Sequence, residues 1–518
     1  MSLPTGGTPW PPHPQGIALA QQSLWNAWLV GDPDGLITAY SAADGSGTTA
    51  EASFDPKPGV VNRVARFFWS RPSASGQRKE RLHVPMAADI ATASADLLFS
   101  EPPQFLLADD GNEAGEQRVD ELLNHGDFHA ELVEAAELTA GLGGGWLRLV
   151  WDKDIAERVI VDAVAADAAI GEWQWNLLRA VTFFTEYRRK ESDQEVIRHL
   201  ERHEPGRVLH GLYVGSAKEL GHPVPLADHP DTAPYAELVD EEGAIATGVA
   251  GLTAAYVANM RPQRRWRKLE SLAQLGRSDY DGVEPLMDAL DECYTSWMRD
   301  VRLGKARILV PEFMLKDLGK GQGAAFDQDQ EVFTQLNVAP TSEAGKSITP
   351  QQFAIRVDEH QQTADSLIDQ ILDAAGYSPS TFGRQGESAV TATEVVSKER
   401  KSDRTRSKKM RYWGQALEPL LTTWLELDAL VFGGGARGTV QVAWPDDSQP
   451  DPESLSRTIE TLNRAVAVST DTKVRMLHND WDEEQIAKEV AAVVAESGAL
   501  VPDVGPLPEY EDEEPVTA

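Results

Sequence analysis

The sequence predicts an α+β chain with several cores. Three observations carry this. A run of short strand-like segments between 146 and 260 is flanked by helical patterns rather than alternating with them. A helix, a short β-rich stretch and a second helix follow in turn over 281–375. A helical pattern near 40 residues long then starts at Thr391.

The first stretch, to about Gly59, is rich in Pro, Gly and Ser, with one helix expected near Ala18–Val30. Pro85 suits a first helical position, and Met86, Ile90, Ala93 and Leu97 repeat at helical spacing until Pro102-Pro103. One helix is expected over about 116–142, stopped by Gly143-Gly144-Gly145. Segments 146–151, 157–164, 179–188, 195–203, 207–215 and 252–260 read as strands of an antiparallel meander. Together these give an α+β region over 60–280.

A helix over 281–303 carries Leu286, Leu290, Tyr294, Trp297 and Val301, and Gly304 ends it. Two strands, 306–315 and 329–337, are expected within 304–352, joined by a Gly-rich loop. The next helix lies within 353–376, with Gly376 as its C′ residue. A polar loop spans 377–390. The long helix begins with Thr391 and Glu394 as a capping box, should kink at Pro419 and stops at Gly433-Gly434-Gly435. A strand at 439–444 completes the region 391–450. Three helices are expected in 451–500, with Ser469 and Asp480 as N-caps, and 501–518 reads as a disordered acidic tail.

The 518 residues are 41% apolar and 25% charged, as in ordinary globular chains. No apolar run approaches the roughly 20 residues that span a bilayer, and no secretory signal pattern opens the chain. Cys293 is the single cysteine, so an intrachain disulfide or thiolate cluster is excluded, in keeping with a reducing cytoplasm. The net charge is −34. Such a chain either avoids nucleic acid or meets it without holding it.

Asp365, Asp369 and Asp373 form an acidic stripe at four-residue spacing, opposite Ala364, Ile368, Ile371, Leu372 and Ala375. The long helix opens basic, with Lys398, Arg400, Lys401, Arg404, Arg406, Lys408, Lys409 and Arg411 falling all round it. Glu394, Glu399 and Asp403 are interleaved, so pairing with carboxylates of the same or a neighbouring subunit is expected over a nucleic-acid patch. Arg261, Arg264, Arg265, Arg267 and Lys268 surround Trp266 and read as surface or subunit contact. Phe67, Phe68 and Trp69 read as core or interface. The string GLGGGW (141–146) follows a helix and precedes a strand, the reverse of a phosphate loop, and reads as a helix terminator. His478, Asp480, Asp482, Glu483 and Glu484 read as a helix start rather than a metal site. Asp327 and Asp329 have no partners at nuclease spacing. No metal, cofactor or catalytic residue is expected.

Five colinear strings resemble the phage portal family in its siphophage branch. They are HVPMAADIATASADLLFSEPPQF (83–105), LGRSDYDGVEPLMDALDECYTSWMRDVRLGKARILVPEFML (275–315), FAIRVDEHQQTADSLIDQILDAAGYSPSTFG (353–383), TATEVVSKE (391–399) and WPDDSQPDPESLSRTIETLNRAVA (444–467). The resemblance covers roughly 80–500 and leaves out the N-terminal extension 1–59 and the tail. It implies a portal fold: an α/β wing over 60–280, stem helices at 281–303 and 353–376, a β clip at 304–352, a tunnel loop at 377–390, a long wing helix and strand at 391–450, and a helical crown at 451–500. It implies a homo-oligomeric ring, usually a dodecamer, at one capsid vertex of the virion, assembled in the host cytoplasm. Partners would be the terminase large subunit, a head–tail adaptor, major capsid and scaffolding proteins, and double-stranded DNA passing through. Under this resemblance Asp365, Asp369 and Asp373 would line the channel, and Arg384, Gln385 and Glu387 would sit on the tunnel loop. Arg307 and Glu312 would belong to the terminase-binding clip. The competing readings are another virion protein, such as an adaptor or capsid protein, and an acidic cytoplasmic hydrolase, for which no convergent titratable cluster is visible.

Overall fold

The structure is a computed structural model. It describes residues 3–45, 81–108, 113–188, 195–269, 271–303, 355–384, 392–433, 437–445, 459–464, 468–477, 481 and 483–499, with short strands at 307–309, 316–317, 324–325 and 349–351. Helices and sheets are mixed, as the sequence predicts. The chain divides into two units, Met1–Pro445 and Asp446–Ala518.

The first unit opens on a segment that joins the main sheet. Trp10 N donates to the Lys218 carbonyl at 2.9 Å and Leu220 N donates to the Thr8 carbonyl at 2.9 Å. Helices α1 (Gln15–Val30) and α2 (Pro33–Gly45) follow. Trp25 and Trp28, three residues apart on α1, are both fully buried. The sequence gives 1–59 only one helix and no role in a core. The two tryptophans show instead that α1 is part of one.

Helix α3 (Met86–Phe99) buries Met86, Ile90 and Leu98. The expected helix over 116–142 is two helices, α4 (Glu113–Leu122) and α5 (Gly126–Leu142). The break has a tertiary cause. The Asn124 side chain accepts from Phe105 N at 2.9 Å and donates to the Phe105 carbonyl at 3.1 Å, so it takes the place of a strand partner to β1 (Gln104–Leu107). His125 then turns extended and caps α5.

Gly143 ends α5 with φ +83°, the terminator that the glycine run predicts. The glycines that follow are there for close approach. A Cβ on Gly144 would lie 2.0 Å from the Tyr256 hydroxyl, and one on Gly145 would lie 2.4 Å from Thr139 Oγ1. They start β2 (Gly144–Val150), the centre of a three-stranded antiparallel sheet with β3 (Ile160–Ala165) and β10 (Ala254–Ala258).

The larger sheet is an antiparallel meander of β4 (Ala169–Gln174), β5 (Leu177–Arg188), β6 (Val196–Glu204), β7 (Arg207–Ser216) and β8 (Glu219–Val224), with β9 (Ala244–Ala246) also paired to β7. Three of the six expected strands, β5, β6 and β7, lie in this meander; the other three form the smaller sheet instead of one continuous meander, and β4, β8 and β9 are additions. Trp175 (φ 49°) and Asn176 (φ 69°) make the two-residue turn between β4 and β5, without the Asn-Gly or Asp-Gly pair that usually announces one.

One face of β6 carries a polar stack. His199 Nε2 and His210 Nδ1 lie 3.1 Å apart, and Tyr235 stacks on His210 at 4.3 Å. Glu201 accepts from His203 Nε2 at 2.8 Å and from Arg148 Nη1 at 2.7 Å.

Two long helices, α6 (Glu284–Leu303) and α7 (Val357–Ala375), pack side by side. Among the described residues between them, β11 (Arg307–Leu309) pairs β14 (Thr349–Gln351), and β12 (Lys316–Asp317) pairs β13 (Ala324–Ala325). The expected strand 329–337 lies outside the described residues. Helix α8 (Ala392–Val431) runs 40 residues, about 60 Å, with Pro419 inside it. It buries Trp413, Leu417, Leu420 and Trp424 against α3, α5 and the small sheet, and Trp413 meets Phe99 edge-on at 4.9 Å. Strand β15 (Val440–Ala443) pairs β1, which ties the exit of α8 to the exit of α3.

In the second unit, α9 (Thr470–Leu477) and α10 (Glu483–Ala499) are described, with a helical stretch at 459–464. Ser469 caps α9, its Oγ accepting from Thr472 N at 3.2 Å. Asp480 lies outside the described residues. No helix among them is long and apolar enough to cross a membrane.

Candidate functional site

The site with the most chemistry is the α6–α7 pair and the junction where it leaves and rejoins the body. The helices run antiparallel. Asp300 near the end of α6 accepts from Arg356 Nη2 at 3.0 Å and lies 3.0 Å from His360 Nε2. Trp297 stacks on His360 at 5.9 Å, nearly parallel. The seam between them is apolar, with Met287 and Leu290 against Ala364, Ile368, Ile371 and Leu372. Thus the stripe of apolar residues opposite the three aspartates is buried, as amphipathic spacing demands.

The other face of α6 carries Glu284, Asp288 and Asp291, all at least nine-tenths buried. Isolated carboxylates there would be costly, and each is partnered. Trp25 Nε1 donates to Glu284 at 3.1 Å and the Tyr40 hydroxyl donates to Asp288 at 3.2 Å. His83 Nδ1 sits 2.8 Å from Asp291, and Val84 N donates to the same carboxylate at 2.8 Å. Burial pushes the Glu284 and Asp291 carboxyls above the usual range. The N-terminal helices therefore hold the root of α6.

At the junction, Asp279 just before α6, Tyr377 just after α7, Lys409 on α8 and Ser94 on α3 meet in one buried cluster. Lys409 Nζ donates to Ser94 Oγ and Asp279 Oδ2, each at 2.5 Å, and lies 3.1 Å from the Tyr377 hydroxyl. That hydroxyl donates to Asp279 Oδ2 at 2.7 Å, and Asn259 Nδ2 donates to Oδ1 at 2.8 Å. Burial lowers the Lys409 ammonium and raises the Tyr377 phenol, so the tyrosine stays a donor. Both ends of the α6–α7 excursion are thus fastened at one point to the long helix. No local sequence signal marks this cluster, because its members lie far apart in the chain.

Asp365, Asp369 and Asp373 share one exposed face of α7, with side chains 48, 57 and 77% accessible. They are not bare. Arg384 Nη2 donates to Asp365 at 2.6 Å, its Nε lies 3.5 Å from Asp369, and Lys401 pairs with Asp373. The bond to Asp365 raises the Arg384 guanidinium further. Exposed pairs of this kind are worth about 0–1 kcal/mol each, so they moderate the stripe more than they stabilise the fold. Arg384 is the one expected loop residue the structure describes; Gln385 and Glu387 lie outside the described residues. Arg307 stands in β11 opposite Gln351, and Glu312 lies outside the described residues.

The basic opening of α8 is partly consumed inside the chain, in agreement with the pairing expected of it. Lys401 and Lys409 take the partners just named, and Arg406 Nε donates to the Leu97 carbonyl at 2.6 Å. In the other basic cluster, Trp266 is buried and Arg265 pairs with Asp281 at 2.7 Å. Of the acidic string at 478–484, residues 478–480 and 482 lie outside the described residues. Among those described, no group of three His, Cys, Asp or Glu is placed to hold a metal.

No curated protein matches the chain. Among the solved structures that align with it, three are 13–14% identical. A chain in the neck of an empty GTA particle computed with C6 symmetry is 14% identical, with TM-score 0.38, over 80% of this chain and 98% of that one. A chain of the virion of a native gene transfer agent (GTA) particle is 13% identical, with TM-score 0.36, over 91% and 96%. A chain in the neck of a native GTA particle computed with C12 symmetry is 13% identical, with TM-score 0.35, over 91% and 95%. The model of the family described as phage portal protein, SPP1 Gp6-like, matches residues 73–493, which include α3 through α8 and most of the second unit. Over four-fifths of its length, therefore, the chain belongs to the phage portal protein family, a family of structural rather than enzymatic proteins.

Proposed function

We propose that this chain forms a closed homo-oligomeric ring of twelve copies at one capsid vertex, and that double-stranded DNA passes through its channel during packaging and ejection. Membership of the portal family carries this reading. The geometry agrees with it: α6 and α7 pair side by side, enclose the segment 304–356, and have their outer ends at the same buried junction. A small β segment between two such helices can be completed by copies around a ring.

In this reading 60–280 is the wing, 281–303 and 353–376 are the stem, and 304–352 is the clip, with Arg307 and Glu312 facing the terminase large subunit and later the head–tail adaptor. The loop 377–390, with Arg384, Gln385 and Glu387, narrows the channel. The segment 391–450 backs it, and 451–500 forms the crown. Major capsid and scaffolding proteins surround the ring, which is built in the host cytoplasm and kept in the virion. Asp365, Asp369 and Asp373 face the lumen, where an acidic wall gives DNA nothing to hold. No cofactor takes part.

Light scattering on the purified 56.6 kDa chain tests the assembly. Twelve copies give about 680 kDa. Monomer alone at micromolar concentration, with scaffolding protein present, would refute the ring.

A further inference from the structure

The basic segment 261–268 folds back on residues 274–277 ahead of α6. Asn259 Nδ2 donates to the Arg277 carbonyl and Arg277 N donates to the Met260 carbonyl, each at 3.0 Å. Arg261 Nη2 donates to the Gln274 carbonyl at 2.6 Å, and Gln263 Nε2 donates to the Gly276 carbonyl at 2.9 Å. Gln263 and Trp266 are buried, so the segment is fixed, and it sets exposed Arg264 beside half-buried Arg277. Tyr412 of α8 lies within electrostatic range of the same guanidinium.

These two like charges go unanswered within the chain. Arg277 Nε is closed to solvent and has no hydrogen-bond partner. No ion pair to Arg264 or Arg277 occurs among the described residues. The carboxylates that pull on Arg277 are committed elsewhere: Asp281 pairs with Arg265 at 2.7 Å, and Asp279 with Lys409. Burial and then Arg264 lower the Arg277 guanidinium below its usual range. A buried donor without a partner marks an arrangement that the chain alone leaves incomplete.

We propose that Arg264 and Arg277, with the Tyr412 hydroxyl, bind a dianionic phosphate, free or as a monoester. Two guanidinium charges match the phosphate charge of about −2. A guanidinium grips phosphate bidentately, and a small turn of the Arg277 side chain brings its orphaned Nε to a second oxygen. A protein carboxylate or a duplex phosphodiester carries one charge and leaves one guanidinium unmet, and a chain of −34 repels a DNA polymer overall. The site lies within one chain and does not depend on the ring reading.

Isothermal titration calorimetry of the full chain with inorganic phosphate, at constant ionic strength, tests the site. The wild type should bind one phosphate per chain at millimolar concentration or tighter. Sulfate, a dianion of the same shape, should compete, and acetate should not. A nucleoside 5′-monophosphate titrated in parallel tells the sources apart: tighter binding than phosphate assigns the site to a monoester, weaker binding to the free ion. R264Q removes an exposed side chain, so circular dichroism should match the wild type while phosphate affinity falls at least ten-fold. R277Q should show the same loss, and R400Q, on the open face of α8, should bind like the wild type. No binding of phosphate by the wild type overturns the proposal, and so does equal binding by R264Q and R277Q. Acetate competing as well as sulfate makes the occupant a carboxylate and also overturns it. A duplex with unphosphorylated ends, bound by the wild type and not by R264Q, makes DNA the occupant with the same consequence.

Discussion

Acid should destabilise the first unit in a way that His210 sets. Its ring is buried against Tyr235 and shares one hydrogen bond with His199. Two imidazolium rings both donate, so that bond needs at least one neutral ring. Burial, with Arg148 and the neighbouring histidines, lowers the His210 pKa from 6.5 to about 4 against the pull of Glu201. A depressed histidine contributes stability above its unfolded pKa. As pH falls below 6.5 the unfolded chain takes up the proton first, and stability drops until about pH 4, where the folded ring also protonates. That gap corresponds to about 3 kcal/mol. Against burial, which would raise it, Glu201 is held at about 2 by His203 and Arg148 and adds a second loss that begins only near pH 4.5. The perturbation is H210F, which keeps a ring on Tyr235 and removes the titration. Urea unfolding followed by tryptophan fluorescence at pH 7, 6, 5 and 4 should show the wild type losing about 3 kcal/mol more than H210F between pH 7 and 4. Parallel losses in the two proteins would refute the reasoning, because the acid sensitivity would then lie elsewhere.

K409M should destabilise the chain by about 3–5 kcal/mol in a denaturant titration, because it strands Asp279 in the core, and K409M/D279N should recover part of the loss. Replacing Asp365, Asp369 and Asp373 together by Lys should slow DNA translocation in a single-molecule packaging assay, and raising the salt should ease the defect. Since Arg384 and Lys401 would then face like charge, an equal rate at low salt would mark the stripe as a plain solvated face. Replacing Arg307 or Glu312 should lower packaging or tail joining while ring yield, measured by light scattering, stays unchanged.

The sequence shows best what local physics decides. Amphipathic spacing is enough to place α6, α7 and α8, because each buries one stripe and solvates the other. Gly143 and Gly376 mark helix ends because only a glycine takes positive φ there without strain. The Asp365, Asp369 and Asp373 face follows from spacing alone. What it could not show is the answering charge: Arg384 is 19 residues from Asp365, and Lys401 is 28 residues from Asp373. The α4–α5 break escaped because its cause, Asn124 bonding to Phe105, is a tertiary contact inside an otherwise helical pattern. The N-terminal helices are hidden for the same reason. The composition of 1–59 is loop-like, and only the burial of Trp25 and Trp28, with Trp25 bonded to Glu284 of α6, reveals their place. The junction at Lys409 joins four distant segments, and no window of sequence contains it.

The central claim is a ring with an acidic channel, and cryo-electron microscopy of the purified chain tests it most directly. The account predicts closed rings with an open axial channel, in which α7 turns Asp365, Asp369 and Asp373 toward the axis. Compact single copies, or rings with the three aspartates on the outer wall, would contradict it.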